Sequence, residues 1–388
     1  MEFEYWWLLG FPLFFGLGWM AARIDIKQIV SESRALPRSY FKGLNFLLNE
    51  QPDKAIEAFI EVVKVDPETI ELHFALGSLF RRRGEYDRAI RMHQNLLERP
   101  DLGAEQKVIA LAELGQDYLK AGILDRAEEV FKKLEKSAQS AAARRHLLEI
   151  YEQEKDWTRA IEMTRQVESD PRDLAQYYCE LAASESAQSR PDAARKYLEA
   201  GLEANRKCVR ASLQLGDLER SRNHFEEAIE HWKRIESQNP AYLALVAQRL
   251  LEAHRDAGRP EDGLRLLTGY LERYPSLDLL DTVFQQTLEA KGHEQAYALV
   301  RDELRRNPTL LGLDRLLEAQ IIAAGAAPDK RRDLELVRNL VHSHTRRLAR
   351  YRCETCGFKA RQFHWRCPAC GGWETYPPRR TEEFELTP

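Results

Sequence analysis

The stretch GSLFRRRGEYDRAIR, residues 77–91, carries the signals that decide the fold. Gly77 and Phe80 stand three residues apart in an apolar segment, Gly84 marks a turn, and Ala89 begins a second apolar segment. A small residue is needed where two paired helices cross closely, and a large side chain fills the facing gap. The stretch therefore predicts two antiparallel helices joined by a tight turn.

The same pattern recurs along most of the chain. The small residues equivalent to Ala89 are separated by 34, 38, 33, 34, 34, 35 and 33 residues, which is the tetratricopeptide period. They are Ala55, Ala89, Ala127, Ala160, Ala194, Ala228, Gly263 and Ala296. A small residue early in the first helix recurs at Gly43, Gly77, Gly115, Ala182 and Gly216. We predict an all-α tetratricopeptide-repeat superhelix of about eight repeats over residues 35–310, followed by divergent helices over residues 311–350.

The C-terminal segment contains two Cys-x-x-Cys motifs, in YRCETCGF and CPACGGW. Each motif brings two thiolates to one side of a turn, and two such motifs supply the four ligands of a tetrahedral metal ion. In the module and tail over residues 351–388 we predict one metal site, with the ligands Cys353, Cys356, Cys367 and Cys370. A redox dithiol or a pair of disulfides is the alternative, and four thiolates suit either iron or zinc.

The two motifs resemble the metal-binding knuckles of rubredoxin. An aromatic residue, Tyr351, stands two residues before the first cysteine, and the second motif reads Cys-Pro-x-Cys-Gly. Gly357 and Gly371 permit the positive φ that turns backbone N–H groups toward the sulfurs. The segment between the motifs is shorter than in free rubredoxins, so we expect no complete rubredoxin fold with its own aromatic core.

Basic and aromatic side chains surround the cysteines. The basic residues have two interpretations, a solvated face that balances the thiolate charge or a contact with a partner or phosphate: Arg350, Arg352, Lys359, Arg361 and Arg366. No Gly/Ser linker separates the motifs from the preceding helices, so we expect the module to dock on the last repeats. The candidate docking side chains are Phe358, Phe363, Trp365, Trp373 and Tyr376.

The N-terminal segment predicts a membrane anchor. Residues 5–22 carry no charge and as a helix extend over about 27 Å, enough to cross a bilayer. A cleaved signal peptide is the alternative, but the segment before the span is acidic and the candidate cleavage site is poor. Lysine and arginine are absent before the span and follow it at Arg23, Lys27, Arg34 and Arg38. We predict a transmembrane anchor at residues 1–22, a juxtamembrane segment at 23–34, and a cytoplasmic location for the rest.

Charge and cysteine content exclude several classes. The net charge of −4 argues against nucleic-acid binding by the body of the chain. Six cysteines in 388 residues are too few for a disulfide scaffold and agree with a reduced compartment, where the four ligands stay available as thiolates. We interpret the remaining two, Cys179 and Cys208, as buried structural thiols.

The sequence contains no recognisable catalytic set. Its ten histidines stand at scattered helical positions, without a His-Glu-x-x-His motif, a phosphate-binding glycine loop or a G-x-S-x-G elbow. His342 and His344 are near the cysteines and are either hydrogen-bond partners of the metal site or exposed helix residues. We therefore expect no enzyme but a repeat surface that holds a protein partner.

Over its full length the sequence resembles the lipopolysaccharide assembly protein B family of Gram-negative bacteria. The resemblance rests on the anchor, the first repeat beginning YFKGLNFLL, the stretch 77–91 and the motif YRCETCGF. It implies a single-pass protein of the cell inner membrane with most of the chain in the cytoplasm. It also implies a rubredoxin-like metal site whose ligands are Cys353, Cys356, Cys367 and Cys370.

The resemblance further implies a regulatory role and its partners. Members of the family restrain lipopolysaccharide synthesis by helping the membrane protease FtsH to degrade LpxC, the deacetylase that commits precursor to lipid A. Other lipopolysaccharide-assembly proteins are expected as additional partners. Two other classes stay open on the residues alone: a nucleic-acid-binding zinc ribbon on a repeat scaffold, and a rubredoxin-like electron carrier.

Overall fold

The computed structural model describes residues 15–16, 18–19, 38–49, 51–65, 70–167, 170–323, 328–345, 349–378 and 380. The predicted span over residues 5–22 and the juxtamembrane segment 23–34 lie outside the described residues, apart from residues 15–16 and 18–19. Within the described part of the chain, no helix combines the length and the apolar character needed to cross a bilayer.

The helices form two compact units, which meet in sequence at Lys155 and Asp156. Unit 1 consists of α1 (Arg38–Leu48), α2 (Pro52–Val65), α3 (Ile70–Arg82), α4 (Tyr86–Leu97), α5 (Ala104–Lys120), α6 (Leu124–Leu134) and α7 (Ser140–Glu154). Consecutive helices pack as antiparallel pairs, and the pairs stack on one another. The boundary between the units falls within the fourth predicted repeat.

Unit 2 is also built of helices that pack in consecutive pairs, and it ends in the cysteine module. Its helices are α8 (Trp157–Thr164), α9 (Pro171–Ala187), α10 (Pro191–Ala204), α11 (Val209–Ser221), α12 (Phe225–Gln238), a 3-10 turn (Pro240–Tyr242), α13 (Leu243–Asp256), α14 (Pro260–Arg273), α15 (Leu277–Lys291), α16 (His293–Arg306), α17 (Leu310–Ala323) and α18 (Pro328–Thr345). The strands β1 (Tyr351–Arg352) and β2 (Lys359–Ala360) pair antiparallel. The predicted all-α repeat fold with a C-terminal four-cysteine module is confirmed for the residues described.

The small residues of the first helices lie where each helix crosses its partner. A Cβ atom on Gly43 would overlap the ring of Phe59, and one on Gly216 would overlap the ring of Trp232. Gly77 and Gly115 stand in the same relation to His93 and Phe131. In each pair the ring belongs to the residue sixteen positions further along the chain. These glycines stand near the middle of their helices and not early in them, because the closest approach of the two axes is there.

Several turns inside the pairs contain a residue in the left-handed conformation. Gly84 and Gly122 have φ values of 82° and 76°, and the residue after each donates its N–H to the carbonyl five residues back, closing the helix end. In two later turns Ser189 and Asn223 adopt the same left-handed conformation, with φ of 59° and 62°. The glycine pattern alone therefore misses these turns, because a polar residue can adopt the conformation at modest cost.

Candidate metal centre

Two matching knuckles hold the cysteines. In the first, the N–H of Cys353 donates to the carbonyl of Phe358 (2.9 Å) and the N–H of Gly357 to that of Cys353 (3.0 Å). In the second, Cys367 and Gly371 repeat the pattern with the carbonyls of Gly372 and Cys367 (both 2.9 Å). Gly357 and Gly371 have φ values of 75° and 73°, so the predicted need for glycine at both turns is confirmed.

The knuckles bring the four sulfur atoms into one cluster. Cys353 Sγ lies 3.8 Å from Cys370 Sγ, and Cys356 Sγ lies 3.7 Å from Cys367 Sγ. All four lie within 4.8 Å of one another. A tetrahedral ion with metal–sulfur bonds of about 2.3 Å needs sulfur–sulfur distances of about 3.8 Å. The four cysteines therefore form a rubredoxin-like metal site whose size fits either zinc or iron.

Polar groups of the protein surround the sulfur of Cys353 and stabilise its thiolate charge. Burial opposes ionisation of the Cys353 thiol, but the Thr375 hydroxyl and the N–H groups of Cys356 and Thr355 outweigh it and lower the pKa of Cys353 to about 6. Thr375 Oγ1 lies 3.4 Å from the sulfur. Cys353 and Cys367 are buried, whereas Cys356 and Cys370 are exposed. One side of the site therefore faces the protein and the other faces solvent.

The module contacts the repeats through its aromatic side chains. The rings of Trp365 and Tyr242 stack with centroids 6.0 Å apart and planes only 8° apart. Phe363 meets both rings edge-on, at 4.8 Å from Trp365 and 6.4 Å from Tyr242. Tyr242 is buried in the 3-10 turn that precedes α13, so this contact joins the module to the core of unit 2.

A second contact lies on the other side of Arg210. Trp373 meets Tyr177 edge-on at 6.5 Å and Trp157 at 6.4 Å. The Arg210 guanidinium lies 5.7 Å from the Trp365 ring centroid and 5.8 Å from that of Trp373. It also pairs with a carboxylate of α9, so its charge is balanced within the repeats. A cation between two aromatic rings of the module fixes the module laterally.

Glu374 is the buried polar link between module and repeats. Its Oε1 accepts a hydrogen bond from the backbone N–H of Arg210 (3.0 Å) in the first turn of α11, and its carbonyl accepts one from the Tyr242 hydroxyl (2.8 Å). Glu374 has a φ of 48°, a left-handed conformation that costs a non-glycine residue about 1 kcal/mol or more. Burial raises the pKa of Glu374, and the hydrogen bonds from Arg210, Gln176 and Cys208 only partly offset it.

The comparisons with known proteins agree with both parts of the chain. Tetratricopeptide repeat families match residues 72–105, 112–173 and 179–242, and a rubredoxin metal binding domain family matches residues 351–378. Lipopolysaccharide assembly protein B of Escherichia coli (strain K12) is 33% identical over 377 residues, covering 95% of this chain and 96% of that protein. The chain belongs to the lipopolysaccharide assembly protein B family.

A second member of the lipopolysaccharide assembly protein B family shows the same correspondence. The protein of Haemophilus influenzae (strain Rd) is 30% identical over 388 residues, covering 96% of this chain and 97% of its own. Among solved structures, Naa15/Naa10 bound to HypK-THB has 17% identity and a TM-score of 0.40, covering 79% of this chain and 54% of that chain. The family relationship therefore rests on the full-length relatives.

In this member of the family, the predicted docking residues divide into two groups. Phe363, Trp365 and Trp373 contact the repeats, as expected. Phe358 and Tyr376 instead pack inside the module, where Tyr376 is buried against Tyr351. The expectation that the module lacks an aromatic core of its own was therefore wrong in part. The module has room for a small aromatic cluster around Tyr376 because the residues after the second knuckle fold back over the first knuckle.

Arginine side chains near the cysteines make contacts within the chain. Arg350 pairs with Asp278 of α15 at 3.0 Å, and Arg380 reaches the same carboxylate at 2.6 Å. Arg366 donates to the carbonyl of Gly371 (3.1 Å) and lies over Trp373. For Arg350 and Arg366 the structure favours a structural interpretation over a partner contact.

The other polar candidates lie elsewhere. His342 pairs with Asp314 of α17 at 3.1 Å, and His344 is exposed on α18. Cys179 and Cys208 are buried as predicted, but their sulfurs lie 3.8 Å apart and Cys208 Sγ lies 3.6 Å from Glu374 Oε1. The hydrogen bond with Cys179 and burial raise the pKa of Cys208 well above its usual value, so this thiol stays neutral beneath the module.

Sequence reasoning missed the repeat side of this interface. Arg210, Tyr242 and Asp278 stand at ordinary helix positions and carry no motif. Tyr177 and Glu374 likewise lack a local signal. The one available hint was the large number of aromatic residues in so short a module, which a two-knuckle fold cannot bury by itself.

Proposed function

We propose that this chain is a membrane-anchored regulator of lipopolysaccharide assembly that delivers the deacetylase LpxC to the membrane protease FtsH. The observation that supports the role in lipopolysaccharide assembly is the 33% identity to lipopolysaccharide assembly protein B over 95% of the chain. The named partners rest on the family resemblance. Confinement of an adaptor, its client and a protease near one bilayer raises their local concentrations without chemistry.

The predicted anchor locates the protein at the inner membrane in this proposal. In the proposal, residues 1–22 span the inner membrane and the repeats and the metal site lie in the cytoplasm, as the lysines and arginines after the span predict. The anchor would meet the protease, and other membrane proteins of the assembly system, within the bilayer. A reporter fused after Pro388 tests the orientation, because periplasmic activity of alkaline phosphatase at that position contradicts it.

The surface of unit 2 supports binding of a protein client. An open groove of about 630 Å³ lies between first helices of adjacent pairs. Its lining combines small, polar and apolar residues, namely Ala182, Ala183, Ser186, Ser189, Pro191, Leu198, Gln214, Asp217, Leu218 and Ser221. Small residues leave room for a peptide backbone, and the amide, carboxylate and hydroxyl groups can bind its polar atoms. These are the residues we propose for client contact.

The metal centre supports a structural role and not a catalytic one. All four ligand positions of a tetrahedral ion are supplied by the protein, which leaves no position for a substrate. Trp365, Trp373 and Glu374 follow or flank the second knuckle and make the contacts with the repeats. The ion, iron or zinc, would therefore hold the docking residues in place and present one continuous surface to the client.

Depletion of the protein in cells tests the proposal. We expect the half-life of LpxC to lengthen and lipopolysaccharide to rise relative to phospholipid, and partial inhibition of LpxC to relieve the growth defect. A Cys353→Ser, Cys367→Ser chain should fail to complement, whereas a Cys179→Ala chain should complement. An unchanged LpxC half-life with FtsH intact contradicts the proposal. A primary change in RNA occupancy or in a redox pool would instead favour the nucleic-acid or electron-transfer classes.

A further inference from the structure

The first helix of the first repeat carries an exposed apolar stripe. Phe41, Leu44 and Leu48 of α1 follow one another at intervals of three and four residues, so they share one face of the helix. Their exposed fractions are 55%, 37% and 82%. The opposite face of α1, which includes Gly43, packs against α2. α1 therefore has an exposed apolar face in addition to the face that packs against α2.

The same register positions in the later repeats compared carry no large apolar side chain. Relative to the small residue of each first helix, Phe41 corresponds to Ala75, Glu113, Glu180 and Gln214. Leu44 corresponds to Ser78, Gln116, Ala183 and Asp217, and Leu48 to Arg82, Lys120, Ala187 and Ser221. In those repeats several of these residues line open depressions on the surface. Repeat packing therefore does not require large apolar side chains at these positions, and α1 has them for another reason.

The charge of α1 indicates what covers the stripe. The helix contains Arg38 and Lys42 and no acidic residue, and Lys42 is exposed next to the stripe. Fifteen residues separate α1 from the predicted membrane span, a stretch that reaches at most about 50 Å when fully extended. A helix with an apolar face and basic flanks binds the interface of an anionic bilayer, and the cytoplasmic leaflet is such a surface.

We propose that α1 lies on the anionic cytoplasmic leaflet and inserts Phe41, Leu44 and Leu48 at its surface. The inference rests on the anchor in the proposed function and adds a second membrane contact to it. An anchor alone leaves the first repeat free to rotate beneath the bilayer. Contact through α1 holds one side of unit 1 against the membrane.

The test compares hydrogen exchange of the full chain in two kinds of nanodisc. One contains phosphatidylethanolamine with phosphatidylglycerol, and the other contains only phosphatidylcholine. We expect amide exchange over residues 38–49 to slow by about threefold or more in the anionic nanodisc. Binding to the membrane stabilises α1, so its backbone hydrogen bonds open less often. Raised salt should remove most of the difference, because it screens the basic residues.

Two variants make the test specific. Leu44→Ser with Leu48→Ser should abolish the difference, whereas Leu336→Ser with Leu340→Ser, on a comparably exposed stretch of α18 (62% and 66%), should leave it unchanged. Unchanged exchange over residues 52–65 in detergent confirms that the first variant is folded. Equal exchange of residues 38–49 in both nanodiscs overturns the inference, as does protection that appears only when another membrane protein is present.

The same experiment separates this inference from the proposed function. A chain that stays in the nanodisc through a high-salt wash and yet shows equal exchange retains its anchor, so only the contact of α1 is rejected. A chain that does not enter the nanodisc has no anchor, and then both the inference and the membrane part of the proposed function are rejected.

Discussion

The backbone N–H of Arg210 donates a hydrogen bond of 3.0 Å to Glu374 Oε1, across 164 residues of sequence. This bond joins the first turn of α11 to the segment that follows the second cysteine knuckle. The Tyr242 hydroxyl binds the carbonyl of the same glutamate, so one residue of the module satisfies donors from two helical pairs. The position of the metal centre on the repeats is therefore fixed by a buried polar contact as well as by aromatic packing.

The charge of Glu374 should make this docking dependent on pH. Because burial raises the pKa of Glu374 above 4.5, the docked state binds more protons than the undocked state between 4.5 and the raised value. Stability of docking should therefore rise as the pH falls through this window and should level off below 4.5. The pH dependence of docking is measured from the urea unfolding midpoints of the wild-type and Glu374→Gln chains at several pH values. The variant keeps an oxygen for the Arg210 N–H, so the difference between the two chains should shrink as the pH falls.

Removal of the Trp365 ring should loosen the module without unfolding the repeats. Trp365→Ala loses the stack on Tyr242 and one side of the Arg210 cation–π contact, worth about 1–3 kcal/mol together. We expect hydrogen exchange over residues 366–376 to accelerate by about tenfold to a hundredfold. Tyr197→Ala, which removes a stacked pair with Tyr178 within the repeats, is the control and should not accelerate it. Equal acceleration in both variants would contradict the role of Trp365 in docking.

Metal binding and folding of the module should be one equilibrium. Cys353→Ser with Cys367→Ser removes the two buried ligands, and we expect the bound metal measured by elemental mass spectrometry to fall to near zero. Exchange protection over residues 351–378 should be lost, while circular dichroism still shows the helices of the repeats. Cys179→Ala should keep its metal, since that sulfur lies outside the four-cysteine cluster. Retention of metal by the double serine variant would show that the ligand set is wrong.

Two glycine substitutions should shift stability in opposite directions. Gly216→Ala adds a Cβ atom that overlaps the buried ring of Trp232, so the free energy of unfolding should fall by about 1–3 kcal/mol. In Gly269→Ala the added atom meets only the end of the Arg273 side chain at 4.0 Å. That variant should gain about 0.5–1 kcal/mol, because alanine loses less backbone entropy in a helix. Urea denaturation measures both, and a stabilised Gly216→Ala chain would contradict the packing described.

The sequence by itself determined the local features of the molecule. Helix pairs such as α3 and α4, the turn at Gly84 and the knuckle glycines Gly357 and Gly371 depend on residues within one repeat or one turn. Their signals are small residues, apolar spacing and positive φ, which act over a few positions. The four cysteines are equally local, because each motif places its own pair of sulfurs. Short-range patterns of this kind are legible in a single sequence.

The tertiary structure decided which surfaces meet. Glu374 contacts Arg210, Cys208 and Tyr242 from 132 to 166 residues away, and no periodicity links these positions. The sequence supplied a list of aromatic residues near the cysteines, yet only the fold separates Trp365, which docks on the repeats, from Tyr376, which packs within the module. The partner of a side chain in the module depends on where the chain places that module against the repeats after many helices. That position is set by the packing angles of all the intervening helices together, and no single motif encodes it.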